Sequence, residues 1–222
     1  MCGRFAQIFK YDQLKKLLDE YEIQNRDEQI PIHFNIAPSQ VVPAFISTPK
    51  GNVLTYFQWG LVPSWSKTAD SPYKMINVRS ESVLEKPTFK AAITRRRCII
   101  PASGFYEWQK PAKTPFYIHP TNREHFAFAG IWDRWLGADG SELQTCAILT
   151  CNANGLMKNI HERMPVILTP DTEKSWINYI NQDPRLLSAL LLPFPEQEMD
   201  AYPISSFVNN VRNDGPECIE RA

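Results

Sequence analysis

The most reactive combination of residue types in this chain stands at its start, in Met1-Cys2-Gly3-Arg4. A residue as small as cysteine in second place lets methionine aminopeptidase remove Met1, which leaves Cys2 with a free α-amine beside its thiol. Such a 1,2-aminothiol captures aldehydes: the amine forms a Schiff base, and the thiolate then closes a five-membered thiazolidine ring. An α-amine of pKa ~7.7 carries roughly a few hundredfold more free base near pH 7 than a lysine of pKa ~10.4. A thiol of pKa ~8.5 supplies roughly a few per cent of thiolate. The plain alternative is that Cys2 is only the residue of the second codon. Gly3 permits close approach of backbone or ligand. In an extended segment Arg4 shares a face with Cys2, and a guanidinium there suits a phosphate.

Three more segments carry candidate chemistry. In Met75-Ile76-Asn77-Val78-Arg79 the polar Asn77 and Arg79 alternate with apolar residues, so a strand places both on one face. They can orient a nucleophile and hold a phosphate, or simply form the wet face of an ordinary strand. Gly104-Phe105-Tyr106-Glu107-Trp108-Gln109 sets a carboxylate among aromatics. Partial desolvation there suits Glu107 to general acid/base work, with a structural ion pair as the other reading. Ile160-His161-Glu162-Arg163-Met164-Pro165 begins like a zinc-peptidase motif, but Pro165 stands where the second histidine belongs, which argues against zinc. His161 is a proton-transfer candidate or a satisfied structural histidine. Lys86, Lys90 and Arg95-Arg96-Arg97 add positive charge, in a pattern that also fits a solvated helix face. In Trp59-Gly60-Leu61-Val62-Pro63-Ser64-Trp65 a loop-borne tryptophan can stack on a splayed base, while Trp59 reads as core.

The elements that must position these residues follow from composition and periodicity. The chain has 222 residues, 43% hydrophobic and 12% aromatic, enough for one large domain that buries roughly 70% of its unfolded surface. No apolar run reaches the ~20 residues of a membrane span, and the start lacks a signal-peptide pattern, so a protein of the reducing cytoplasm is expected. The net charge is zero, yet residues 1–110 carry 15 Lys+Arg against 10 Asp+Glu. A neutral total can thus hide a basic groove, or reflect a chance split. Five cysteines, at 2, 98, 146, 151 and 218, include no Cys-x-x-Cys. Cys98, Cys146 and Cys151 read as buried and inert, the last two on opposite faces of a strand.

Leu14, Leu17, Leu18 and Tyr21 after Asp12 predict an amphipathic helix capped by Asp12. Strands are expected at 41–47, 53–59, 97–100, 104–109, 115–119, 126–132, 143–151 and 165–168, with a hairpin at Asp139-Gly140. Helices are expected around 80–85, 88–96 and 170–180, and after Asp183-Pro184. Eighteen prolines punctuate the chain, but no linker or repeat divides it. The fold class is α+β: one domain on a curved or barrel-like antiparallel sheet with flanking helices.

Together these segments resemble the SRAP family, the SOS-response-associated peptidases, whose best-known members crosslink abasic sites in single-stranded DNA. The matching stretches are residues 1–5, Asn35-Ile36-Ala37-Pro38, 59–65, Asn77-Val78-Arg79-Ser80-Glu81, 101–108, 160–165 and Val211-Arg212-Asn213-Asp214-Gly215. The resemblance implies a single SRAP-type domain over residues 1–222, with a barrel-like sheet and a basic DNA cleft. It makes Cys2 the nucleophile, Asn77 the residue that positions it, and Glu107 and His161 the acid/base pair. Arg4 and Arg79 match phosphate-contacting arginines, and Pro38 and Trp65 match residues lining the DNA channel. Pro87 stands where some members have an arginine, with Lys86 as a candidate replacement, and Ser66 stands where some carry a second tryptophan. No cofactor or metal is implied. The implied partner is single-stranded DNA containing abasic sites, met by a monomer without a membrane, in the cytoplasm or at a nucleoid. Two other readings use the same residues: a thiol peptidase or amidase with Asn77 as oxyanion donor, and a non-catalytic module that recognises modified bases.

Overall fold

The computed structural model describes residues 2–25, 30–70 and 74–222. The first half contains β1 (Phe5–Gln7), α1 (Tyr11–Glu20), β2 (His33–Ile36), β3 (Val41–Thr48), β4 (Gly51–Trp59), β5 (Asn77–Arg79), α2 (Pro87–Arg95), β6 (Arg97–Ala102) and β7 (Gly104–Gln109). The second half contains β8 (Thr114–Pro120), β9 (Phe126–Leu136), β10 (Glu142–Asn152), α3 (Gly155–Lys158), β11 (Arg163–Pro165), β12 (Ile167–Leu168), α4 (Pro170–Ile177), α5 (Pro184–Ala189) and β13 (Met199–Pro203).

Five strands close on themselves in the order β4-β3-β6-β9-β10. Neighbours in this ring are antiparallel except at the seam, where β10 meets β4 in parallel with Thr145 opposite Gln58 and Cys146 opposite Trp59. Closure leaves the ring without a free edge, and the apolar runs of β6, β9 and β10 are buried on both faces, as covered strands require. At Gly130 a Cβ would lie 2.6 Å from Cys98 Sγ, so the interior admits only glycine there. The second sheet, β13-β8-β7-β1-β2, is antiparallel throughout. This mixed α+β architecture is the expected class.

Several elements fall where periodicity places them. Gly140 turns the β9–β10 hairpin at φ +83°, a conformation that favours glycine. Pro170 opens α4, and Asp183 accepts the Arg185 N–H at 2.8 Å at the start of α5. Asp12 is not the cap of α1. The helix begins at Tyr11, the Gln13 side chain accepts the Lys10 N–H at 2.9 Å, and Asp12 lies inside the first turn, where its charge faces the positive end of the dipole. The helix expected around 80–85 is a short 3-10 turn, Ser80–Ser82.

Arg97 leaves the solvated run predicted for 86–97. Its guanidinium donates to the carbonyls of Ile93, Thr94, Trp176, Asn178 and Asn181 at 2.6–2.9 Å, joining the C-terminal ends of α2 and α4. Burial without a carboxylate partner pulls its pKa down to about 10. Cys98, Cys146 and Cys151 are buried, as read from sequence, and burial raises all three thiols. Among the described residues no helix is long and apolar enough to cross a membrane.

Candidate active site around the N-terminal cysteine

Strand β1 is only three residues long, yet it fixes the start of the chain. Phe5 pairs with Ile36 on one side and Phe105 on the other. Its ring packs edge-on against Trp59 at 5.1 Å and Phe128 at 5.9 Å, which docks the second sheet onto the barrel. The Tyr106 N–H donates to the Arg4 carbonyl at 3.0 Å, so Cys2 emerges from a segment already bonded to β7.

Cys2 is fully buried. Burial pushes its thiol well above the ordinary range, and the nearby negative charge of Glu107 pushes it further. Glu107 lies on β7, 4% exposed, with Phe116 opposite. Asn77 comes from β5, which adds to β10 in parallel. Its Nδ2 donates to the Cys2 carbonyl at 2.8 Å, and its buried Oδ1 has no hydrogen-bond partner among the described residues. In the alternation of Met75–Arg79, Val78 is buried, Ile76 is half-buried against the core, Asn77 reaches the Cys2 carbonyl and Arg79 is exposed.

His161 lies in the turn between α3 and β11. Its Nδ1 accepts the Arg163 N–H at 3.0 Å and stands 3.3 Å from the Arg163 carbonyl. The Gln109 side chain donates to the Asn159 carbonyl at 2.7 Å, tying this turn to the end of the strand that carries Glu107. Asn77 and Glu107 thus converge on Cys2 from two strands, and the turn that carries His161 is tied to the strand of Glu107 through Gln109.

The expected DNA contacts are less uniform. Arg4 donates through Nη1 to Asn35 Oδ1 at 2.7 Å and the Val208 carbonyl at 2.8 Å, and through Nη2 to the Asn209 carbonyl at 3.2 Å. Three of its five N–H groups are thus engaged within the protein, and burial lowers its pKa. Pro38 and Trp65 stand exposed on loops. Trp59 is core, its indole N–H donating to the Ile76 carbonyl at 2.9 Å. Pro87 is the first residue of α2, and Lys86 beside it is exposed.

Sequence reasoning gave no role to Glu81 or Arg163, although both fall in the quoted motifs. Arg163 is buried and donates to both Glu81 oxygens, at 2.6 and 2.9 Å, as well as to Asn152 Oδ1 and the Thr150 carbonyl. The pair joins the segment of Asn77 to the segment of His161. An ion pair 82 residues apart leaves no periodic signal; only the charged residues inside two apolar motifs hinted at it.

The fold and site define a class: a mixed-barrel α+β protein whose second residue is a buried cysteine held by an asparagine and flanked by a carboxylate. The chain belongs to the SOS response associated peptidase (SRAP) family, whose model matches residues 1–211. It is 42% identical to the abasic site processing protein YoqW of Bacillus subtilis, with 99% of each chain covered. It is also 32% identical to the abasic site processing protein HMCES of Gallus gallus, covering 99% of this chain and 77% of that one. A crystal structure of a protein from Bacteroides thetaiotaomicron superposes over 100% of both chains with a TM-score of 0.86 and 29% identity.

Proposed function

We propose that this protein processes abasic sites in the DNA damage response, by forming a thiazolidine crosslink between Cys2 and an abasic site in single-stranded DNA. The observation that carries the reading is the clasp of Asn77 on Cys2. Its Nδ2 holds the Cys2 carbonyl, and the unpartnered Oδ1 beside it is an acceptor suited to the α-amine that Cys2 gains when Met1 is removed. Relatives named for abasic site processing, similar along the whole of this chain, support the same substrate.

The steps follow from the chemistry of the groups. The α-amine adds to the aldehyde of the ring-opened sugar to give a carbinolamine, which loses water to form the Schiff base. The Cys2 sulfur then adds to the imine carbon. Its proton passes to the imine nitrogen, so that one water is released overall. Burial raises the thiol above its ordinary range, so the amine is assigned the first addition and the thiol is given a base. Glu107 is the carboxylate whose charge reaches it, and we assign it the proton transfers at the amine, the carbinolamine and the thiol. His161, with Nδ1 engaged by the Arg163 backbone, exchanges a proton with the sugar oxygen through Nε2 during ring opening. Exposed Arg79 and Trp65 meet phosphate and base, while Pro38 lines the channel and Arg4 offers its remaining N–H groups to phosphate.

The test is denaturing electrophoresis of the protein with single-stranded DNA carrying one abasic site, alongside intact mass spectrometry. A stable adduct is expected only from chains that have lost Met1, and an N-terminal extension should abolish it. Full adduct yield from protein verified to retain Met1 excludes the thiazolidine. Amide hydrolysis without an adduct would make the protein a peptidase.

A further inference from the structure

Of the six tryptophans, only Trp65 stands mostly in solvent, at 71% exposure. A bare indole on a floppy loop would lose its ordering entropy each time it stacked on a ligand. The loop of Trp65 is not floppy. The Val62 N–H donates to Thr145 Oγ1 at 2.9 Å, the Ser64 N–H donates to Asp133 Oδ2 at 2.9 Å, and the Trp135 indole N–H donates to the Ser66 carbonyl at 2.8 Å. Residues 62, 64 and 66 are therefore each tied by a side chain of the β9–β10 hairpin, and the indole between them points outward.

Asp133 is the buried charged member of this set. Its Oδ1 accepts the Arg134 N–H at 2.8 Å and faces Arg96 Nε at 3.3 Å, which leaves Oδ2 for the loop. A carboxylate taken out of water is costly unless its oxygens are satisfied. Here one oxygen is satisfied by the backbone of the residue that precedes Trp65.

We propose that Asp133 is a positioning residue for single-stranded DNA, holding Trp65 ready as a platform on which one unpaired base stacks. The proposal rests on the reading of this protein as a single-stranded DNA binder. In Asp133→Asn an amide N–H replaces one acceptor, so it opposes either the Ser64 N–H or the Arg134 N–H and Arg96.

The test is the affinity for an unmodified single-stranded oligothymidylate, measured by fluorescence anisotropy. Trp65→Ala should weaken binding roughly tenfold or more, as loss of one base stack does. Asp133→Asn should weaken it severalfold and add nothing further in the Trp65→Ala background. Trp135→Phe keeps an aromatic ring but loses the indole N–H bond to Ser66, so it should show the same Trp65-dependent loss, and it decides the matter if Asp133→Asn does not fold. Wild-type affinity of Asp133→Asn beside a weak Trp65→Ala overturns the positioning role. So does a loss of affinity that persists undiminished without Trp65. Wild-type affinity of Trp65→Ala overturns the stacking reading itself, and the positioning role with it.

Discussion

In the proposed crosslink a Cys2 thiol that burial raises above its ordinary range is a poor first nucleophile, so capture of the aldehyde is assigned to the amine and ring closure to the sulfur. Cys2→Ala keeps the amine and loses the ring closure. It is expected to give an abasic-DNA species that borohydride traps, with no stable crosslink on a denaturing gel. An undiminished, borohydride-independent crosslink from this variant would assign the bond to another nucleophile. Glu107→Gln removes the carboxylate proposed as the base for the thiol, and loss of a positioned acid or base costs roughly 10²–10⁴ in rate. Single-turnover crosslinking should slow by that order while the product still forms. By microscopic reversibility, release of a preformed adduct into excess abasic competitor should slow as well. Wild-type rates in both directions would leave Glu107 a structural carboxylate.

At the scale of elements, β10 organises the Asn77 and Arg163 sides of the site. Strand β5 adds to one side of it and β11 to the other, with Thr150 opposite both Arg79 and Pro165. The Glu81–Arg163 pair closes this arrangement across the end of the strand. The Arg163 guanidinium, donating to Glu81, holds that carboxyl below its ordinary pKa. A carboxylate with a depressed folded pKa stabilises the fold above its unfolded pKa of ~4.3, and that contribution is lost as pH falls through the lower folded value. Glu81→Gln should therefore lower the melting temperature at pH 7, and the gap from wild type should narrow as the pH drops below ~4. A gap that stays constant down to pH 3 would show that packing, rather than charge, ties the two segments. Half of the Glu81 side chain is exposed, so solvent screens the pair and its loss alone should not unfold the protein.

At the scale of the whole molecule, a second buried polar cluster joins the end of α1, α4 and the connection from β8 to β9. Glu173 receives Tyr21 Oη and, at 2.7 Å, Arg123 Nη1, while Arg123 Nη2 stands 3.2 Å from His125 Nε2. Burial, and then the charge of Arg123, pushes the His125 pKa down to about 3. The unfolded chain binds a proton at ~6.5, so the neutral folded histidine contributes stability above that pH and loses it on acidification. Wild-type unfolding free energy should fall below pH ~6.5 by up to ~1.4 kcal/mol per pH unit from this residue. His125→Gln, which keeps an acceptor for Arg123, should flatten the slope in urea titrations between pH 7 and 4. An unchanged slope would assign the acid sensitivity to other groups.

The sequence by itself determined the local matters. Apolar alternation located most barrel strands, Asp139-Gly140 the hairpin, and Pro170 and Pro184 the helix starts, because each depends on residues a few positions apart. It also pointed to Cys2 as the second residue and to the face shared by Asn77 and Arg79. Strand β13, with its acidic and proline-bearing run Met199-Asp200-Ala201-Tyr202-Pro203, has no alternation to read and becomes a strand only because β8 offers it an edge. Only the tertiary structure decided that β10 closes the ring in parallel on β4, that Arg97 turns inward to bond five carbonyls, and that Arg4 engages Asn35 and the backbone at 208–209. It also decided that Cys2 is fully enclosed and that burial raises its thiol. Each of these rests on groups far apart in the chain whose desolvation and hydrogen bonding exist only once the barrel has closed.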